Sequence, residues 1–183
     1  MGGRGVFFSF HHSRDNGRIG QVRNVWVTKG KTNSLLDKAE WEKIKQQGDE
    51  AIKSWINEQL KGTSITIVLI GKETSIRKWV KYEIKKSVLE GKGLLGIYIH
   101  NLKDFRTKET DLQGENPFKQ FCIAEGKDDG KKYILTINEY QSSSRYKEGK
   151  YLSSFVDTYD WKLDDGYNNI ERWIEKSIKD KKW

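Results

Sequence analysis

Hydrophobic and polar positions divide the first hundred residues into apolar runs and amphipathic segments. Three runs rich in β-branched and aromatic residues, at positions 6–10, 65–70 and 94–99, predict strands that are apolar on both faces. Between the second and third runs, apolar residues recur at helical spacing from about residue 76 to residue 89, just before Gly91. This alternation predicts an α/β fold in which helices cover both faces of a mostly parallel central sheet.

Further helices are predicted on either side of this unit. Residues 19–26 predict a short helix or an ordered loop, and residues 41–60 predict a helix that begins after a cap at Asp37 and breaks at Gly48. An amphipathic pattern over residues 167–178 predicts a closing helix.

The stretch from residue 101 to about residue 154 is polar and weakly patterned, with one possible strand at residues 133–137. A short last strand is predicted at residues 159–161. Long irregular stretches of this kind are typical of functional loops or insertions. Since no repeat or linker interrupts the chain, we expect one flavodoxin-like domain over residues 1–183.

Composition narrows the possible classes of protein. The chain carries 34 Lys and Arg against 26 Asp and Glu, a net charge of +8, and its 7 Trp, 8 Tyr and 7 Phe exclude a disordered chain. The densest group of cations lies on the polar side of the helix over 76–89, an arrangement that favours solubility over nucleic-acid binding.

Cys122 is a lone cysteine, the run at 67–70 is far shorter than the ~20 residues of a membrane span, and the first residues do not resemble a signal peptide. We therefore expect a cytoplasmic protein without a membrane partner.

Glu83 is the most informative single residue. One face of the helix over 76–89 carries Ile76, Trp79, Val80, Glu83, Ile84, Ser87 and Val88. An ionised carboxylate on such an apolar face is costly unless it is paired or lines a cavity. The helix also begins at the carboxyl edge of the predicted sheet, where open α/β folds bind ligands. Glu83 therefore either pairs with a Lys or Arg at the rim of the core or lies in a ligand site.

Other motifs are weaker. Residues 91–96 match the dinucleotide-binding glycine pattern, but they precede a strand, whereas the mechanism needs a helix N-terminus after the glycines. His11 and His12 are adjacent and would point in opposite directions on an extended segment, and His100 is the third and last histidine, so we expect no metal site. His11 follows the first strand directly and is expected at the ligand edge of the sheet.

Several sequence blocks resemble those of a known family. The three core blocks of a TIR domain are similar to residues 6–10, 68–71 and 75–84. A narrower similarity is carried by residues 22–29, 79–84, 116–118, 159–161 and 164–168. In this order, over almost the whole chain, the blocks resemble the TIR-like ThsB proteins of the bacterial Thoeris anti-phage defence system.

The resemblance implies an enzyme that uses NAD as a substrate and needs no cofactor. Active TIR domains of this kind cleave the bond between nicotinamide and ribose with a glutamate that Glu83 matches. Thoeris TIR proteins sense phage infection through a trigger that this sequence does not identify, and make a cyclic ADP-ribose isomer. That diffusible messenger activates a separate NAD-depleting effector, ThsA. The alternative is a non-catalytic TIR scaffold that acts through self-association as a homo-oligomer or through partner binding.

The resemblance also implies substrate contacts. The TIR nucleotide-binding loop begins at the end of the first strand, which here carries Ser9, Phe10 and His11. Trp79, one turn before Glu83, would pack beside the sugar or the nicotinamide, or would be a core residue. Ser75, together with Thr74, would offer backbone amides to a phosphate at the start of the helix, or would cap that helix.

Overall fold

A computed structural model describes residues 5–28, 38–181 and 183 of the chain. The strands formed by these residues are β1 (Gly5–Ser9), β2 (Thr63–Ile70), β3 (Gly93–Tyr98), β4 (Phe121–Glu125), β5 (Lys132–Thr136), β6 (Lys150–Tyr151) and β7 (Thr158–Asp160). Their α-helices are α1 (Asn16–Thr28), α2 (Lys38–Gln46), α3 (Asp49–Leu60), α4 (Lys78–Leu89), α5 (Ile137–Gln141) and α6 (Gly166–Lys179).

The central sheet has four parallel strands in the order β1–β2–β3–β7. Its two faces are both apolar, because alternate residues of each strand point to opposite sides. Ile67 belongs to a core cluster with residues of α1 and α6, whereas the neighbouring Val68 packs in a second cluster with Val80 and Ile84 of α4. The predicted α/β architecture with helices on both faces is confirmed, and the carboxyl ends of the strands meet at one edge.

A second, antiparallel sheet has the order β5–β4–β6 and lies on the α4 side of the main sheet. Phe118, Phe121 and Leu152 join it to the core cluster of Val68. The prediction of an irregular segment over residues 101–154 is therefore incomplete. The strands here have five, five and two residues, too short to give a clear alternation of polar and apolar positions.

The observed ends of the helices test the caps and the break that the sequence predicts. Gly48, with a φ of 91°, separates α2 from α3 as predicted, and the predicted cap Asp37 lies outside the described residues. The caps predicted at Thr74 and Ser75 are wrong, because these residues form a separate 3₁₀ turn and α4 begins only at Lys78. The Thr74 hydroxyl instead accepts the backbone N–H of Gly71 at 2.9 Å, which fixes the turn after β2.

Two other predictions concern the glycine pattern at residues 91–96 and the absence of a membrane-spanning segment. Gly91, with a φ of 64°, lies in the turn that follows α4, and residues 93–96 already belong to β3, so the glycine pattern leads into a strand and not into a helix N-terminus. None of the described helices has the length and apolar composition that a membrane crossing requires.

Candidate active site

Glu83 lies on the buried face of α4, and its residue is only 3% exposed. The apolar stripe of the helix turns this position toward the sheet, as the spacing of Val80 and Ile84 predicts. Among the described residues no Lys or Arg forms an ion pair with its carboxylate. The alternative prediction of an ion pair at the rim of the core is therefore not supported, and the carboxyl group needs another explanation.

Ser9 is the hydrogen-bond partner of this carboxyl group. Its hydroxyl, at the carboxyl end of β1, donates to Glu83 Oε2, and both residues are buried. Burial raises the pKa of Glu83 to about 8 despite the opposing effect of the Ser9 hydrogen bond. The group is therefore mostly neutral at pH 7, in a position where a bound cation would favour its ionised form.

A cavity of about 240 Å³ opens beside Glu83 at the carboxyl edge of the sheet. Its walls come from the segment after β1, from α2 and from the start of α4, and they comprise Phe10, His11, His12, Ser13, Trp41, Lys45, Arg77, Lys78, Trp79, Val80 and Glu83. This volume accommodates one ring system with an attached sugar more readily than a whole dinucleotide. The remainder of a larger ligand would lie along the open mouth.

Aromatic rings form one wall of the cavity. The His12 ring lies between Phe10 and Trp41, with ring centres 4.1 Å and 4.3 Å apart, and is nearly parallel to the Trp41 indole at 8°. Burial lowers the pKa of His12 to about 4, so this ring is neutral at pH 7. This stack therefore gives the cavity an uncharged aromatic wall.

Cationic side chains lie around the same cavity. Lys45, Arg77 and Lys78 contribute to its lining, and the Lys78 ammonium also lies 4.8 Å from the centre of the Trp79 ring. Glu73 pairs with Arg77 and also with Arg14, at 3.3 Å, which ties the Arg77 segment to the segment after β1. A cavity with one buried carboxyl group, aromatic walls and surrounding cations suits a ligand that has a cationic ring and phosphate groups.

The structure brings most of the predicted site residues together. Phe10, His11 and Trp79 line the cavity, and Ser9 contacts Glu83 without lining it. Burial lowers the pKa of His11, and the nearby Arg77 guanidinium acts in the same direction. Ser75 is 3% exposed and does not contribute to the cavity wall.

Seven lining residues are not among the site residues predicted from the sequence, namely His12, Ser13, Trp41, Lys45, Arg77, Lys78 and Val80. Trp41 belongs to the apolar stripe of its helix and was indistinguishable from a core residue. Arg77 looked like part of a solvated basic face. No local pattern could identify these residues, since they meet only through the tertiary fold. Among the described residues, no group of three or more His, Cys, Asp and Glu side chains could hold a metal ion.

Comparisons with known proteins identify sequences that are similar to this chain. Residues 7–104 match the family described as Thoeris protein ThsB, TIR-like domain. A protein of Bacillus cereus (strain MSX-D12), named "Putative cyclic ADP-D-ribose synthase ThsB1", is 38% identical over 189 residues. That similarity covers 92% of this chain and 97% of the relative.

Proposed function

Because the chain belongs to the Thoeris ThsB family of TIR-like domain proteins, we propose that it converts NAD into a cyclic ADP-ribose isomer in the cavity beside Glu83. The observation that carries the proposal is a buried carboxyl group that lacks an ion-pair partner among the described residues and faces a cavity. The name of the 38% identical relative, a cyclic ADP-D-ribose synthase, supports the same reaction.

The reaction begins with cleavage of the bond between the nicotinamide nitrogen and the ribose anomeric carbon. The bonding electrons go to the nicotinamide ring, which leaves as a neutral molecule and therefore needs no strong general acid. The ribose is left with oxocarbenium-like positive charge. The ionised Glu83 carboxylate stabilises that charge electrostatically, at a place from which bulk water is largely excluded.

The cationic nicotinamide ring also prepares Glu83 for this role. In the free protein the pKa of Glu83 is about 8, so the neutral acid predominates at pH 7. A positive charge close to the carboxyl group lowers its pKa, and substrate binding therefore releases the proton. The positive charge of the substrate thus favours the ionised form of Glu83. The ionised carboxylate in turn stabilises the positive charge on the substrate.

The fate of the ribosyl cation decides the product. Attack by a nucleophilic atom of the same molecule, with loss of one proton, closes a ring and gives a cyclic ADP-ribose isomer. Attack by water, also with loss of a proton, gives linear ADP-ribose and would be glycohydrolase activity. Proximity of the internal nucleophile and exclusion of water favour the ring.

The proposal extends to the rest of the defence pathway. We place the reaction in the cytoplasm and the cyclic product as the messenger that activates an NAD-depleting effector of the ThsA type. A non-catalytic scaffold is the weaker alternative, because self-association would not require a buried carboxyl group beside a cavity.

Replacement of Glu83 tests the proposed function. We expect Glu83→Gln to reduce nicotinamide release from NAD by roughly 10²–10³-fold, the range for loss of a preorganised electrostatic group. Glu90→Gln is the matched control, because Glu90 follows the same helix, pairs with Lys86 and Lys92, and does not line the cavity. The assay uses NAD added to lysates of phage-infected cells that express each protein. Equal nicotinamide release by the wild type and Glu83→Gln would refute the proposal.

A further inference from the structure

Three cationic side chains of the described residues line the cavity, namely Lys45, Arg77 and Lys78. The two lysines extend into solvent, with 45% and 64% of their side chains exposed, and each pairs with an exposed carboxylate. The side chain of Arg77 is 38% exposed, and its Nε–H group is buried. Because a restrained side chain loses less conformational entropy when it binds a ligand, Arg77 is the cation best suited to hold an anionic group.

The hydrogen bonding of the Arg77 guanidinium is incomplete. Its Nη2 donates to Glu73 Oε2, whereas the buried Nε has no acceptor among the described residues. A buried N–H group without an acceptor costs free energy, and an anionic oxygen within its reach would remove that cost. Since a guanidinium has five N–H groups, the bond to Glu73 leaves donors for a phosphate.

Glu73 lies at the centre of a chain of ion pairs that ends at Arg77. Its Oε1 accepts from Arg14 Nη1 at 3.3 Å, while its Oε2 accepts from Arg77. Arg14 also donates through Nε and Nη2 to Asp111 Oδ2, at 3.1 Å and 2.8 Å. The backbone N–H of Asp111 donates to the carbonyl oxygen of His100 at 2.9 Å, which attaches this end of the chain to the segment after β3.

We propose that Glu73 is a positioning residue, which holds the Arg77 guanidinium at the cavity wall so that this group binds a phosphate of NAD. The inference rests on the proposed function, because NAD supplies the phosphate. A single exposed ion pair fixes a side chain weakly, whereas the connection through Arg14 to Asp111 restrains Glu73 from a second side. Glu73 does not line the cavity itself and acts through Arg77.

The test is the KM for NAD. Nicotinamide release is measured over a range of NAD concentrations in desalted lysates of phage-infected cells that express each protein without an NAD-depleting effector. We expect Arg77→Gln to raise KM by roughly 10–100-fold, the range for loss of charge-assisted hydrogen bonds. Glu73→Gln should raise it by roughly threefold or more, because the guanidinium is less often in place.

The kcat of both variants should change little, since the phosphate is bound alike before and during cleavage of the nicotinamide bond. KM does not depend on the amount of folded enzyme, so a loss of stability cannot imitate this result. Glu90→Gln is the matched control. It also removes a carboxylate that pairs four residues away, with Lys86 at 3.1 Å, but this pair does not line the cavity, and KM should keep its wild-type value.

A double variant separates positioning from a general structural effect. If Glu73 acts through Arg77, its replacement has no further effect once Arg77 is replaced, so the double variant should have the KM of Arg77→Gln. Glu73 also lies 4.0 Å from Nδ1 of His11, another residue of the cavity wall. Effects of the two substitutions that multiply in the double variant would show a route other than Arg77 and would overturn the proposal.

Two inhibitors test whether the bound group is a phosphate. ADP-ribose keeps both phosphates of NAD and lacks nicotinamide, whereas nicotinamide carries no phosphate. Inhibition by ADP-ribose should weaken in Arg77→Gln and in Glu73→Gln by about the same factors as KM rises, and inhibition by nicotinamide should stay at the wild-type level. Equal weakening of both inhibitors would show a distorted cavity and would overturn the proposal.

The outcomes separate this proposal from the proposed function. A wild-type KM in Glu73→Gln or in Arg77→Gln overturns the positioning role and leaves the proposed function intact. Should Arg77→Gln release no measurable nicotinamide, Arg77→Lys takes its place in the double variant, because lysine keeps the charge but lacks the planar group of donors, and the same comparison decides. Absence of nicotinamide release from the wild type refutes the proposed function, and the role of Glu73 with it.

Discussion

At the scale of single residues, the hydroxyl of Ser9 stabilises the charged form of Glu83. It donates a hydrogen bond to the carboxyl group and so opposes the rise in pKa that burial causes. We expect Ser9→Ala to raise the pKa further. Since kcat/KM reports the ionisation of the free enzyme, we expect kcat/KM of the wild type to rise with pH through the Glu83 pKa of about 8, and that of Ser9→Ala to rise at higher pH.

Ser87 provides the control for this experiment. It is also a buried hydroxyl, but it donates to the backbone carbonyl of Glu83 at 2.7 Å and lies 2.7 Å from the Thr66 hydroxyl. Ser87→Ala should change stability without moving the pH profile. If both variants keep the wild-type profile, Ser9 does not influence the Glu83 charge.

Above about pH 4.5, we expect Glu83 to make the folded protein less stable than a neutral side chain at this position would. Its pKa is about 8 when folded against 4.5 in a model compound, so folding favours the protonated form. The stability associated with that proton is fully present below about pH 4.5 and is lost as the pH rises through 8. Glu83→Gln should therefore increase the free energy of unfolding at pH 8.5 by a few kcal/mol, an order-of-magnitude value.

Denaturant unfolding at pH 6 and pH 8.5 checks this expectation. The advantage of Glu83→Gln over the wild type should be larger at the higher pH. An inactive but more stable variant would separate loss of chemistry from loss of folding. The same advantage at both pH values would show that the carboxyl group does not titrate in this range.

Residue-scale prediction from the sequence succeeded where the signal was local. The inward orientation of Glu83 follows from helical spacing to residues three and four positions away. The stack of His12 on Trp41 joins two elements that are distant in sequence, and no periodicity encodes it. The hydrogen bond from Ser9 to Glu83 likewise depends on the tertiary fold, and no local pattern predicts it. The role of Ser9 as a substrate contact stays a prediction.

At the scale of elements, two loops cross closely at the carboxyl edge of the sheet. A Cβ atom added at Gly114 would lie 2.0 Å from the backbone oxygen of Gly71, the residue after β2. The Gly71 carbonyl accepts the backbone N–H of Thr74, so a shift of Gly71 would disturb the turn that carries Glu73 and Arg77. We expect Gly114→Ala to lower the free energy of unfolding by roughly 2–4 kcal/mol, as severe overpacking does.

The control for this substitution is Gly20→Ala. Gly20 lies inside α1, and a Cβ atom there would meet nothing within 4 Å. Alanine has the higher helix propensity, so this variant should gain about 0.5–1 kcal/mol. The measurement is the melting temperature of each variant, which should be much lower for Gly114→Ala than for Gly20→Ala. Similar melting temperatures would mean that the loop crossing tolerates a side chain.

Strands and helices were predicted accurately where the pattern of apolar residues in the sequence was long. The buried strands β2 and β3 and the helix α6 were identified from continuous apolar runs or strong amphipathic spacing. The start of α4 was misplaced because the extended conformation of Arg77, with a ψ of 122°, separates the 3₁₀ turn from the helix. Composition alone gave no sign of that interruption.

At the scale of the whole molecule, the excess of positive charge is largely dispersed. In the densest cationic stretch, Lys78 pairs with Asp49, Lys85 with Glu139, and Lys86 with Glu90. The first two pairs join α4 to α3 and to α5, and the third lies at the end of α4 itself. Within this stretch of the described chain, the pairs interrupt any continuous row of unpaired cations that a phosphate backbone could contact. The net charge of +8 is thus compatible with a protein that recognises a small ligand.

Nucleic-acid binding can be tested directly. We expect no change in the electrophoretic mobility of duplex DNA or of RNA with this protein at ~0.15 M salt, because only a few phosphates could be neutralised together. Non-specific association at very low salt is compatible with this expectation. A mobility shift that persists at ~0.15 M salt would contradict this expectation and would indicate that the basic surface binds nucleic acid.

Prediction at this scale gave the class of fold but not the second sheet. The parallel core is specified by strong apolar runs, whereas β4, β5 and β6 are short and partly exposed. Their packing beside α4 is decided by Phe118 and Phe121, whose pattern is not periodic.

The most direct measurement is mass analysis of NAD-derived products in phage-infected cells that carry the wild type, Glu83→Gln or Glu90→Gln at equal protein levels. The wild type and Glu90→Gln should accumulate a cyclic ADP-ribose isomer together with free nicotinamide, and Glu83→Gln should accumulate neither above background. Accumulation of the cyclic product in Glu83→Gln at the wild-type level would contradict the role assigned to this buried carboxyl group.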